Sequence, residues 1–164
     1  MLPCEWKSFE HVCHHEAGHA IAGHLVGAKI HLIEVDPTGV KDGRTRIERT
    51  TDFQKFVNAC GGHAAERILW NRKQLLVDGS VPEEKVFAKS SMTHACLDKR
   101  KFFGGDQLGP DGLWLPEKDI EFMVFSWNNL HHQLEAHFDL VERVAQALFA
   151  NHTLDHEGFM AAIN

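Results

Sequence analysis

Apolar positions in this chain fall into helical runs, with one short stretch that alternates instead. Phe9, Val12, Cys13, Ala17, Ala20, Ile21 and Leu25 recur at three- and four-residue spacing, which predicts a helix of about 18 residues with one buried side. Ser8 stands at its cap position, Glu10 in its first turn and Gly27 just past its end. Ile30 to Val35 is too short for a helix and rich in branched residues, so it reads as a strand. Asp36-Pro37-Thr38-Gly39 is a turn, and Arg44 to Arg49 a second, more exposed strand.

Residues 52 to 70 form a second helix, with Phe53, Phe56, Val57, Cys60, Ala64, Ile68 and Leu69 on its apolar side. A third follows Asp78-Gly79-Ser80, with Ser80 as cap, Pro82 in the first turn and Glu83 and Glu84 favourable to the helix dipole; it runs to about Lys99. Glycines at 104, 105, 109 and 112, with Pro110, mark a long loop. From Pro116 the pattern is helical to the end: one helix to about Ala136, a second from Leu140 to Ala150 that buries Val141, Val144, Ala145 and Leu148, and a last one from Leu154. The fold class expected is mainly α (α+β), with residues 1–164 as a single domain and a small β-sheet beside the first helix.

Two features of this pattern point to chemistry. Gly18 interrupts the first helix and Gly61-Gly62 the second. A helical glycine costs about 1 kcal/mol relative to alanine, so Gly18 predicts that another backbone or a substrate comes close, and Gly61-Gly62 predicts close packing against the first helix. The second feature is His15, Glu16 and His19, which together spell H-E-x-x-H. Four residues advance a helix by about 400°, so the two histidines share a face and can reach one zinc ion at about 2.0–2.1 Å. Glu16 lies beside that face, placed to take a proton from a water that attacks a carbonyl carbon.

The longer string His-Glu-Ala-Gly-His-Ala, residues 15 to 20, resembles the zinc helix of the FtsH family of metallopeptidases. Gly61-Gly62-His63-Ala64-Ala65-Glu66 resembles that family's Gly-Gly-Arg-x-Ala-Glu element, with His63 where arginine is usual. Leu108-Gly109-Pro110 and the stretch from Asp139 through Leu148 to Asp155 resemble its later segments. The resemblance implies a helical, zincin-like peptidase domain with Zn2+ as cofactor. It also implies a third ligand, an aspartate near the start of the helix after the double glycine. That place falls near Pro82 to Glu84, where the chain has glutamates. Glu84 is the first choice because Ala88 supplies the small residue one turn on; Glu83 is its rival, and Asp106 and Asp119 are the other carboxylates.

Composition narrows the class further. A net charge of -6 with scattered Lys and Arg gives no footprint for nucleic acid or an anionic membrane. The four cysteines are widely spaced, which argues for free thiols. Glu5 and Lys7 interrupt the N-terminus before any signal-like apolar run, and no stretch approaches the ~20 apolar residues of a membrane span, so a cytoplasmic protein is expected. These residues contain no G-x-x-x-x-G-K-[ST] phosphate loop. The expected activity is therefore ATP-independent, zinc-dependent endopeptidase action on peptides or unfolded segments. The alternative is a non-hydrolytic, zinc-binding interaction module. Oligomeric state stays open.

Overall fold

The computed structural model describes residues 3–39, 43–48 and 51–164. A two-residue strand, β1 (Cys4–Glu5), leads into helix α1 (Phe9–Leu25), whose cap is Ser8: its side chain accepts from the His11 N–H. Next come β2 (Ile30–Glu34), β3 (Arg44–Ile47) and helix α2 (Asp52–Asn71). Thr51 and Gln54 close a capping box at the start of α2, satisfying two backbone N–H groups that a helix start leaves free. The expected second strand reached Arg49, which lies outside the described residues; Arg44–Ile47 is strand.

The expected third helix starts later and is broken in two. After β4 (Leu75–Leu76), α3 spans Glu84–His94 and α4 spans Cys96–Phe103, with Ala95 between them. Ser80 is not the cap; its backbone pairs with Val77 in a tight bridge, so the helix begins after Glu83. The expected helix from Pro116 to Ala136 is also divided. It consists of α5 (Pro116–Val124), a π-helical turn over Phe125–Asn129 and α6 (His131–Ala136). The wider turn seats Trp127, whose indole N–H donates to the His63 carbonyl at 2.9 Å. The chain ends with α7 (Phe138–Asn151), β5 (Thr153–Asp155) and α8 (His156–Ile163).

The fold is mainly helical with a small antiparallel sheet in the order β3-β2-β5 and a two-stranded parallel pair of β1 and β4. Ile33 is buried between Thr45 of β3 and Leu154 of β5. The sheet packs against α1, as its position in the sequence implied. Among the described residues no helix is long and apolar enough to cross a membrane.

The centre of the molecule is the seam between α1 and α2, which run antiparallel: His15 meets Glu66, and Val26 meets Gln54. Their glycines make the close approach possible. A Cβ on Gly18 would come within 2.6 Å of the Gly61 carbonyl oxygen and of Ala65 Cβ, and one on Gly61 would strike the Gly18 carbonyl. Phe53 and Phe56, expected on the buried side of α2, are exposed, because Gln54 is the residue that faces the end of α1. The core continues behind α2 in an aromatic stack, with Phe87 of α3 lying flat between Trp70 and Trp127 at ring separations of 5.4 and 5.2 Å.

Candidate active site

His15 and His19 stand one turn apart on α1 with their Nε2 atoms 2.9 Å apart. Each ring is held from behind. His15 Nδ1 is 2.7 Å from Glu66 Oε1, and His19 Nδ1 is 2.6 Å from the Asn58 carbonyl oxygen. Both partners are acceptors, so each Nδ1 donates to its partner and each Nε2 is left to face the third side chain; the Gly62 N–H also approaches His19 Nδ1, at 3.2 Å. This arrangement, in which an outer acceptor fixes the tautomer of an imidazole, is what a metal ligand requires.

The third side chain at this point is Asp98, from the first turn of α4. Its Oδ2 lies 3.4 Å from His15 Nε2 and 3.3 Å from His19 Nε2, while Lys101 donates to its Oδ1 at 3.2 Å. Burial pushes the Asp98 pKa up, but the surrounding His19, His15 and His63 more than offset that and hold it well below the usual carboxylate range. For His15, burial acts downward, and Glu66 and Asp98 outweigh it, leaving the ring well above the ordinary histidine value. Glu66 is buried as well; its burial is outweighed by His63, His15 and His11, which keep it ionised.

Gly62 leaves the space beside both rings clear: a Cβ there would sit 2.5 Å from His15 Nε2 and 2.6 Å from His19 Nε2. Tetrahedral zinc with ligand distances near 2.0–2.1 Å separates its donors by about 3.3 Å. The separations of Asp98 Oδ2 from the two imidazoles match this. The donor set is two imidazole nitrogens and one carboxylate oxygen, which fits a divalent metal ion such as zinc.

Glu16 is buried beside this group, its carboxylate grouped with the two imidazoles within 4.8 Å. Thr45 of β3 holds it, with Oγ1 2.8 Å from Glu16 Oε2. Gly43 presses against the same side chain, and a Cβ there would come 2.8 Å from Oε1. β3 and the glycine before it therefore place the acid relative to the two histidines.

The other carboxylates named from the sequence do not join this group. Glu84 is exposed and pairs with Arg67 at 2.7 Å, because it opens α3 on the outer side of α2. Glu83 sits exposed at the N-cap position of the same helix, with no side-chain capping bond. Asp106 takes a two-pronged bond from Arg100 at 2.8 and 3.0 Å. Asp119 is the counter-ion of Lys99, a buried ammonium that also donates to the Met92 carbonyl. The structure thus brings Asp98, not Glu84, to His15 and His19. The sequence signal for Asp98 is weak: it falls in the last turn of a helix expected to run to about Lys99, and only the break at Ala95 puts it in a first turn. Glu66 was visible as part of a motif, but its hold on His15 was not.

No protein-family model matches this chain, and no curated protein matches it in sequence.

Proposed function

We propose that this protein is a zinc-dependent, ATP-independent metalloendopeptidase of FtsH type, acting in the cytoplasm on peptides or unfolded segments. The observation that carries the reading is the convergence of His15, His19 and Asp98 on one point beside the buried Glu16. Zinc bound there would lower the pKa of a water molecule and take up negative charge from the substrate carbonyl oxygen. Glu16 accepts the proton of that water and passes it to the departing amine. Thr45 keeps one Glu16 oxygen occupied, which leaves the other, beside Gly43, for the proton. β3 pairs only with β2 among the described residues, so its second edge is open to an extended substrate held through main-chain hydrogen bonds. The free, mostly buried thiols suit a reducing compartment.

Glu16→Gln tests the reading directly. The variant should keep its zinc and lose hydrolysis of an unfolded protein by at least ~100-fold, the scale of general-base catalysis. An unchanged rate would remove Glu16 from the mechanism. A second reading, a zinc-stabilised binding module that cleaves nothing, draws support from a further imidazole, His63, which faces the same carboxylate oxygen. Such a module would retain metal and leave every unfolded substrate intact, in wild type as in the variant.

A further inference from the structure

His63 lies directly after the double glycine of α2 and is 1% exposed. Its Nδ1 is 3.0 Å from Ser91 Oγ and 3.3 Å from Glu66 Oε2. The Ser91 hydroxyl already donates to Glu66 at 2.7 Å, so both neighbours can only accept from His63. Nδ1 therefore carries a proton, and Nε2 faces Asp98 Oδ2 at 3.2 Å. A carboxylate oxygen only accepts, so what joins these two buried atoms is a cation: a proton in the metal-free chain, or a metal ion that displaces it.

The geometry assigns His63 Nε2 as a fourth protein ligand of the metal, completing a cage of His15, His19, His63 and Asp98. The inference rests on the metal-binding reading of the site given above. The 3.2 Å separation is again close to the donor spacing of tetrahedral zinc, about 3.3 Å. His15, His63 and Asp98 also form a group whose ligand atoms lie within 4.8 Å of one another. A protonated His63 beside a divalent ion would set like charges together in a buried site, which favours the lone pair on the metal. The departure from arginine at this position is then a change of chemistry: a guanidinium only donates, whereas an imidazole can ligate.

The ring is not placed to leave. It packs against Phe122 at 5.3 Å, and its own backbone carbonyl is held by Trp127. A fourth protein ligand takes the position that catalytic zinc ordinarily leaves to water, so hydrolysis with this cage would need water at a fifth position.

The test is nuclear magnetic resonance on the full chain labelled with 15N-histidine and loaded with 113Cd in place of zinc. Scalar coupling from the metal to three imidazole nitrogens is expected, falling to two in His63→Gln, with zinc affinity lowered at least ~10-fold. Coupling to only two imidazoles in the wild type, with metal bound, overturns the assignment of His63 and leaves the metallopeptidase reading standing. A wild-type chain that binds neither cadmium nor zinc overturns both. If His63→Gln fails to fold, the wild-type coupling pattern decides alone.

Discussion

Two regions supply the candidate site, and they do so by different means. In the α1–α2 seam, His15, Glu16 and His19 are neighbours because one helix repeats every 3.6 residues, and Gly18, Gly61 and Gly62 are there to let the second helix close on them. In the α3–α4 layer, Asp98 reaches the same point only because the helix breaks at Ala95 and restarts, turning the first residues of α4 inward. No glycine or proline marks that break. Ala95 is fully buried, and what surrounds it is assembled from distant parts of the chain. A seam made of local spacing announces itself; a ligand delivered by a tertiary bend does not.

The comparison can be broken most decisively with two carboxylates. Asp98→Asn should abolish stoichiometric zinc binding, since it removes a charged ligand from a buried cage, whereas Glu84→Ala should leave zinc content unchanged. The second variant loses only an exposed ion pair, worth at most ~1 kcal/mol. Metal analysis of the purified chains checks both, and zinc loss in Glu84→Ala with retention in Asp98→Asn would reverse the two regions' roles.

Next in size is the seam itself. Gly18→Ala and Gly61→Ala each gain up to about 1 kcal/mol of helix propensity, but the added methyl collides with backbone that cannot yield. Overpacking of this kind costs about 1–3 kcal/mol, so both variants should unfold at lower denaturant concentration. A stabilised variant at either position would mean that the helices stand further apart.

The two regions also share protons, and pH sharpens that link. In the metal-free chain His15 holds its proton well above the ordinary histidine range, and His63 is also raised. A raised pKa contributes stability in full below about pH 6.5 and loses it as pH rises through the folded values. Metal displaces those protons, and its binding tightens as pH rises. Thermal unfolding between about pH 6 and pH 9 should therefore show stability falling without zinc and rising with it. Parallel slopes would detach these imidazoles from the metal.

The smallest effect concerns thiols. Burial, helped by Glu10 and Glu16, pushes Cys13 up to about 12, and burial with Glu10 pushes Cys4 up to about 11. Cys60, on α2, is also raised by burial. Cys96 alone is exposed, at the start of α4. A thiol reagent should label one cysteine of the folded chain and four after unfolding. Rapid labelling of Cys13 or Cys60 would show that the seam opens.

The sequence alone determined what one helix or one turn can settle. The H-E-x-x-H face, the glycine contacts, the first two strands and the mainly helical class all follow from periods of 3.6 and 2 and from residues whose backbone freedom or side-chain chemistry is local. Tertiary structure decided the rest. It brought Asp98 to the histidines in place of the four carboxylates the sequence offered, turned Ser80 into a bridge rather than a cap, and divided the helix from Pro116 at a π turn that seats Trp127. Those outcomes depend on which partners a side chain meets: Lys99 claims Asp119, Arg100 claims Asp106, Arg67 claims Glu84, and Asp98 turns one oxygen to Lys101 and the other to the histidines. Competition among distant charges for a few partners is a property of the packed molecule, and spacing along the chain does not encode it.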